Sequence, residues 1–263
     1  MRVAACLSEI RAYQYTHGGT YTDPISGKPR QYDLRANLRI DDYSINLAVE
    51  CKNLSSSSPL IICGTMRAEA DAYHDIIDSR FGSFESKGRK MVGASSITLR
   101  TRGVSCFYPH GKFVGKSLLR AKLDRSLSAI PDSDIYDRWS QALSSSIELA
   151  DLACKKAYLE RKQHVYSTIL PIVVIPDETL WIASYDLRGN LVAEPSEADE
   201  CEFFVGRNVE ITLDAQRQLI TLHNFSFSHI HFFTLSGFKS FVSKLAINNN
   251  IVGVLFSDRA EEL

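Results

Sequence analysis

Residues 31–53 read QYDLRANLRIDDYSINLAVECKN, and two alternating patterns meet in them. From Gln31 to Ile40 every second residue is apolar, and the same alternation returns from Ile45 to Asn53 after the turn-forming residues Asp41 to Ser44. A period of two is the spacing of a β-strand that buries one face. This stretch therefore predicts two neighbouring strands joined by a short turn, which can pair as an antiparallel hairpin.

The rest of the chain mixes predicted helices with predicted strands. Apolar residues at helical spacing predict helices over residues 3–15, 66–79, about 133–158 and 235–246. Apolar runs predict strands over residues 59–64, 168–175, 179–185, 209–213 and 218–223, with 168–175 and 179–185 forming a hairpin at the sheet edge. Residues 17–29 are rich in Gly, Pro, Ser and Asp, which predicts a hairpin or a long turn.

These elements predict the α/β class, with a mixed central sheet flanked by helices and extra C-terminal strands and a helix. No internal repeat or linker divides the sequence. We therefore expect a single domain over residues 1–263, with a core to about residue 186 and a C-terminal elaboration over about 187–263.

Composition narrows the class of protein. The 263 residues carry a net charge of −1 and are 44% hydrophobic, which excludes a uniformly basic coat protein and favours a globular fold. The six cysteines form no CxxC pair, as is typical of reduced thiols in the cytosol. The first residues reach Glu9 and Arg11 before an apolar signal core forms. We expect a cytoplasmic protein without membrane contact.

The near-zero charge hides two oppositely charged segments. Residues 80–125 hold eleven Lys and Arg residues against two acidic ones, and residues 177–202 hold eight acidic residues against one Arg. A basic segment of this kind is expected to contact phosphates. The predicted nucleic-acid-binding residues are Lys87, Arg89, Lys90, Lys112, Lys116 and Arg120.

The chemical interest of the predicted hairpin lies in three charged residues. Glu50 and Lys52 are two positions apart, so a strand projects them from the same face about 7 Å apart. Pairing of the two strands can bring Asp33 beside them. Two neighbouring carboxylates are the ligands that Mg²⁺ prefers, and an ammonium group next to them can orient water and neutralise a phosphate.

This arrangement resembles the PD-(D/E)xK, or restriction-endonuclease-like, nuclease superfamily. The residues that carry the likeness are Tyr32-Asp33-Leu34-Arg35-Ala36 and Leu47-Ala48-Val49-Glu50-Cys51-Lys52-Asn53, over a core of about residues 1–80. The resemblance implies a Mg²⁺-dependent deoxyribonuclease, with Mn²⁺ as an alternative ion, in which Asp33 and Glu50 bind the metal and Lys52 is catalytic. It also implies Glu9 as an additional ligand, although Gln31 stands where an acidic residue is often found.

The same resemblance suggests a biological setting. Such a nuclease can act alone as a restriction enzyme, or as the effector of a bacterial antiviral complex restrained by a helicase or sensor subunit. The acidic segment 177–202 is then a candidate for control, either by competing for the basic face or by docking a partner.

Interpretations without catalysis also remain open. Paired charges on a solvated sheet face are common, and the fold can also belong to a catalytically inactive nucleic-acid-binding or scaffold subunit. Gln141 is interpreted as a solvated helix residue, although related nucleases sometimes place a polar residue near the site. His229 and His231 form a His-x-His pair without a third ligand at a suitable spacing, so we expect a structural role for them.

Overall fold

The computed structural model describes residues 2–23, 26–86, 89–103, 106–120, 132–212 and 222–256. For residues 84–86, 89–91, 132–138, 212, 222, 223 and 249 it describes the backbone alone. The fold is of the mixed α/β class, with one large mixed sheet flanked by helices, as the sequence predicts at this level. No helix in the described ranges is long and apolar enough to cross a membrane.

Fourteen strands and five helices make up the described part of the chain. The helices are α1 Arg2–Ser8, α2 Asp132–Cys154, α3 Lys156–Glu160, α4 Leu235–Ile247 and α5 Asn249–Leu255. The strands are β1 Tyr13–His17, β2 Thr20–Thr22, β3 Pro29–Gln31, β4 Leu34–Ile40, β5 Tyr43–Cys51, β6 Leu60–Met66, β7 Tyr73–Ser86, β8 Arg89–Arg102, β9 Phe113–Arg120, β10 His164–Ile175, β11 Leu180–Ser184, β12 Ser196–Glu197, β13 Glu200–Thr212 and β14 Leu222–Thr234.

The predicted hairpin is present and begins the large sheet. β4 and β5 pair antiparallel with Leu34 opposite Val49, and β1 pairs antiparallel with the outer side of β4. β5 then pairs in parallel with β10, and β10 in parallel with β14. The sheet continues through β13, β9, β6, β11 and β12, while β2 and β3 form a small separate hairpin within the predicted turn region.

Helices cover the two faces of the β4–β5 region in different ways. On one face, Leu34, Leu47 and Val49 pack against α1, α4 and α5. Phe238, Val242 and Leu245 of α4 are fully buried there, and each such side chain stabilises the fold by about 1.5–3 kcal/mol. The hydroxyl of Thr234 caps α4 by accepting the Gly237 N–H at 3.0 Å. The other face carries Asp33, Arg35 and Glu50, and α2 lies over it.

The predicted helix over residues 66–79 is wrong. A single 3-10 turn at Glu69–Asp71 is followed by β7, which pairs with β10 and with the full length of β8. Two of its polar side chains, Asp75 and Ser79, are buried and bonded to other elements, Asp75 to Arg100 and Ser79 to the carbonyl of Cys154. Tertiary pairing of this kind overrides a short helical pattern.

Three other predictions need correction. The first helix ends at Ser8 rather than residue 15, and residues 13–17 form β1, since the chain there pairs with β4. The predicted hairpin of 168–175 with 179–185 does not form. Instead, β10 lies in the middle of the sheet, and β11 pairs in parallel with β6. The strands predicted over residues 209–213 and 218–223 belong to the long hairpin β13–β14, except for residues 213 and 218–221, which lie outside the described ranges.

Candidate active site

The register of the β4–β5 hairpin brings the predicted carboxylates together. Because Leu34 faces Val49, the preceding residue Asp33 arrives beside Glu50 and Cys51. The Cys51 N–H donates a hydrogen bond of 2.7 Å to Oδ2 of Asp33. Glu50 and Asp33 are close enough that the charge of Asp33 raises the pKa of Glu50.

Lys52 lies between two oxygen acceptors. Its Nζ donates to Oε1 of Glu50 at 2.5 Å and to Oε1 of Gln141 at 2.8 Å. The backbone of Lys52 is also fixed, because its N–H donates to the carbonyl of Val174 in β10 at 2.9 Å. The ammonium group is therefore held in place between the Glu50 carboxylate and the Gln141 amide oxygen.

Glu50 is the most buried group of the site, with a side chain that is only 7% exposed. Burial raises the pKa of Glu50, and the hydrogen bond and charge of Lys52 act against this rise. A buried carboxylate with a single ammonium partner keeps acceptor capacity for a second positive group. The small hairpin β2–β3 lies close to the site, because the Tyr21 hydroxyl lies 3.5 Å from the Gln141 carbonyl and the Arg35 guanidinium lies 5.7 Å from the centre of the Tyr21 ring. Burial, with smaller contributions from the charges of Asp23 and Glu50, raises the pKa of Tyr21 to about 12.

A second polar contact holds α2 against the hairpin. Arg35 donates to Oγ and to the carbonyl of Ser145, both at 3.1 Å, and forms an ion pair of 2.7 Å with Glu148. Its guanidinium also lies over the Tyr32 ring, 4.1 Å from the centroid. Gln141, Ser145 and Glu148 follow one another along α2 at helical spacing, so Arg35 fixes the same helix stripe that presents Gln141 to Lys52.

The interpretation of Gln141 as a solvated residue is wrong, because its amide oxygen accepts from Lys52. A signal was available in the sequence. Gln141, Ser145 and Glu148 form a polar stripe on a helix, and Asp33 and Arg35 form a polar stripe on a strand, so the two stripes match when the elements pack. Tyr21 carries no comparable signal, since it lies in a short strand of a turn-rich segment.

Glu9 does not join these residues. It follows α1, which packs on the apolar face of the hairpin together with α4, whereas Glu50 faces α2 on the opposite side of the sheet. The Glu9 side chain is 59% exposed and forms an ion pair of 2.9 Å with Lys239 of α4. The predicted role of Glu9 as an additional metal ligand is therefore not supported by its position.

The predicted nucleic-acid-binding residues are spread over two distant elements. Lys112, Lys116 and Arg120 belong to β9 or the turn before it, four strand positions and about 19 Å across the sheet from β5. Lys116 forms an ion pair with Asp71 at 2.6 Å, and Arg120 donates to the Ser58 carbonyl at 3.4 Å, while Lys112 is exposed. Lys87 lies outside the described residues, and Arg89 and Lys90 are described by backbone alone.

Charge counting along the sequence overstates the basic segment. Asp75 and Asp78 precede residue 80, and in the structure they form ion pairs with Arg100 and Arg80 at 2.7 and 2.6 Å. Asp71 likewise pairs with Lys116. Folding therefore places these three carboxylates beside basic residues of segment 80–125 and neutralises part of its positive charge.

His229 and His231 have structural roles, as predicted. Nε2 of His229 accepts from the buried Arg67, which also pairs with Glu202, and Nε2 of His231 lies 2.6 Å from the Tyr108 hydroxyl. Burial, reinforced by the Arg67 charge, lowers the pKa of His229 to about 2 and that of His231 to about 3. Both rings are therefore neutral at physiological pH.

The described residues contain no group of three or more His, Cys, Asp or Glu side chains arranged to hold a metal ion. The hairpin site offers two carboxylates, the amide oxygen of Gln141 and nearby backbone carbonyls. These are oxygen donors of the kind that hard divalent cations take. Comparison of the chain with protein-family models, with curated proteins and with solved structures gives no match.

Proposed function

We propose that this protein is a divalent-metal-dependent nuclease that hydrolyses phosphodiester bonds of DNA at the Asp33–Glu50–Lys52 site. The observation that carries the proposal is the convergence of a buried carboxylate, a second carboxylate fixed by a backbone hydrogen bond, and an ammonium group, at one end of a single hairpin. A solvated pair of surface charges would not bury Glu50 or add Gln141 as a second acceptor for Lys52.

The residues present fit a Mg²⁺ or Mn²⁺ ion. Asp33 and Glu50 would hold it. Burial raises the pKa of Glu50, and a bound cation would favour the ionised form of this carboxylate. The remaining ligands would come from oxygen atoms of the backbone, of Gln141 and of water, as is usual for Mg²⁺. When bound, the cation supplies charge stabilisation for the phosphate and lowers the pKa of a water molecule.

The chain's own residues have distinct roles in this proposal. Lys52 presents a charged donor where negative charge develops on the phosphate during attack. Glu50 and Gln141 hold the Lys52 side chain in position, and the Arg35 contacts hold Gln141. Tyr21, which is buried, closes the side of the site next to β2.

The order of elements supports the restriction-endonuclease-like assignment. The short helix α1 precedes the meander β1–β4–β5, and β6 follows it. The long helix α2 comes after three further strands, and α3 and then β10, which pairs in parallel with β5, come after α2. This agrees with the helix, hairpin, strand and helix context in which the Asp and Glu-x-Lys residues of that superfamily are found. On the same basis we propose a role in restriction or antiviral defence, in the cytoplasm, with a helicase or sensor subunit as the regulating partner.

The test is cleavage of linear, circular and single-stranded DNA by the full chain with Mg²⁺, with Mn²⁺ and with EDTA. We expect metal-dependent degradation that Glu50→Gln and Lys52→Ala each reduce at least 100-fold. Glu9→Gln serves as the matched control and is expected to keep wild-type activity, because Glu9 lies on the other face of the sheet.

DNA binding without cleavage by the wild type, unchanged in both site variants, would instead favour the inactive nucleic-acid-binding or scaffold subunit. Loss of cleavage in the Glu9→Gln variant as well would contradict the placement of the site on the α2 face of the sheet, away from Glu9.

A further inference from the structure

Among the residues that the structure describes, the half of the sheet beyond β13 has a helix packed on one face only. Leu60, Ile62 and Leu118 of β6 and β9 belong to the core that contains α2. The alternate residues of these strands, together with β11, form a separate small apolar cluster on the other face. Within the described part of the chain, this cluster contains residues of β6, β9 and β11 and of Tyr185 but none from a helix.

A cleft of about 390 Å³ opens on this face. Cys63, Leu119 and Tyr185 contribute to its walls, and Lys116 and Asp186 also line it. The volume lies in the range of natural ligand pockets, which is about 300–1,000 Å³. It is large enough to accept one bulky apolar side chain and its neighbours.

Exposed apolar side chains flank the cleft. Leu187 is 94% exposed, Val192 63% and Leu191 44%. They lie on the turn after β11, which is held by the Tyr185–Leu191 bridge and by the Val192 N–H donating to the Ser184 carbonyl at 2.7 Å. A well-bonded turn that holds three apolar side chains in water is typical of a binding surface.

Asp186 places a carboxylate at the edge of the cleft. The side-chain amide of Asn190 donates to Oδ2 of Asp186 at 3.0 Å, and the N–H groups of Asn190 and Arg188 donate to Oδ1 at 2.8 and 2.9 Å. These bonds lower the pKa of Asp186, so the group is ionised at neutral pH. Asp186 forms no ion pair with another described residue, whereas Lys116 is already paired with Asp71. Glu197 of β12 lies opposite Trp181, which packs against the small apolar cluster, and it is exposed and forms no ion pair with another described residue. A phosphate-bearing ligand would be repelled, and a Lys or Arg side chain would be matched.

We propose that this face, made of the cleft and the 185–192 turn, docks a peptide segment of a partner protein that carries a bulky apolar residue flanked by Lys or Arg. The apolar residue enters the cleft between Leu119 and Tyr185, and the basic residues lie against Asp186 and Glu197. The surface is separate from the Asp33–Glu50–Lys52 site and does not depend on the function proposed for it.

The experiment uses random 12-residue peptides displayed on phage and selected on the immobilised full chain. We expect enriched peptides that share an aromatic or aliphatic residue next to Lys or Arg. A synthetic, fluorescently labelled copy should bind about tenfold more weakly to Leu187→Ser and to Asp186→Asn, and more weakly at high salt. Ile247→Ser removes an equally exposed apolar residue on α4 and should bind like the wild type.

Circular dichroism of each variant checks that it is folded. Enrichment of acidic peptides, no enrichment, or equal binding by Leu187→Ser and the wild type would overturn the proposal. Light scattering tests whether a second copy of the chain occupies this face instead. A wild-type dimer that Leu187→Ser converts to a monomer would assign the face to a second copy and overturn the peptide assignment.

Discussion

The main-chain N–H of Cys51 donates to the carboxylate of Asp33, so that the side chain at the start of β4 is tied to the end of β5. This bond does two things. It closes the open end of the hairpin beyond its last strand pair, and it fixes one carboxylate next to the buried Glu50.

The two tasks of Asp33 can be separated by substitution. Asp33→Asn keeps an oxygen that accepts the Cys51 N–H, so we expect near-wild-type stability with metal-dependent cleavage reduced at least 100-fold. Asp33→Ala also leaves that N–H without its partner, which costs about 1–3 kcal/mol. Urea denaturation and cleavage assays on both variants check this. Equal stability of Asn and Ala variants would contradict a structural role for the bond.

Metal binding should appear as a change in stability. If Asp33 and Glu50 bind Mg²⁺ with a millimolar dissociation constant, 10 mM Mg²⁺ stabilises the folded chain by about 1.4 kcal/mol. For a chain of this size we expect the melting temperature to rise by about 3–5 °C. Glu50→Gln should abolish the rise, and Glu9→Gln should preserve it. A rise of the same size in Glu50→Gln would place the ion elsewhere.

Gln141 is expected to act by positioning Lys52. Gln141→Ala removes one of two acceptors of the Lys52 ammonium, so we expect kcat to fall about 10- to 100-fold while the Mg²⁺-induced rise in melting temperature persists. Gln163→Ala, at an exposed position before β10, is the matched control. A Gln141→Ala variant with full activity would show that Glu50 alone holds the ammonium.

Acid should destabilise the protein through its buried histidines. Burial lowers the pKa of His229 to about 2 and of His231 to about 3, whereas histidines in an unfolded chain titrate near 6.5. Between these values the unfolded chain binds more protons. The free energy of unfolding therefore falls as the pH drops below about 6.5, by up to about 1.4 kcal/mol per pH unit for each histidine.

Urea denaturation between pH 7 and pH 4 measures this slope. His231→Phe removes one of the two buried histidines, so it should remove about half of the slope that the two histidines cause. This holds whatever the variant does to the free energy of unfolding at pH 7. His17→Asn, at an exposed position, is the control for the effect of replacing a histidine as such. An unaltered slope in His231→Phe would contradict the assignment.

Prediction from sequence succeeded where the signal was local. The alternation from Gln31 to Asn53 predicts the β4–β5 hairpin, and helical spacing predicts α2 and α4 within a few residues. It failed where pairing is non-local. Residues 73–79 are a strand because β10 and β8 lie beside them, and β11 pairs with β6 more than a hundred residues earlier in the chain.

The same distinction applies to the site. Asp33, Glu50 and Lys52 can be inferred from one hairpin, since strand alternation and register alone place them together. Gln141 is distant in sequence and is brought in by packing of α2. The resemblance implies Glu9 as a ligand, but the face of the sheet on which α1 packs is not encoded in a local pattern, and Glu9 instead pairs with Lys239.

The β7–β8 hairpin leaves the sheet at the end opposite to the candidate site. Glu50 pairs with Val173, while β7 pairs with β10 near His164, nine residues and about 30 Å away along the strand. Phe81 to Ser86 then carry the hairpin about 20 Å further. A polynucleotide touching both ends would have to extend over more than one full turn of B-form duplex, about 34 Å. If DNA is the substrate, as proposed, a duplex shorter than about 50 Å would contact only one of the two ends, and cleavage would then depend on the length of the substrate.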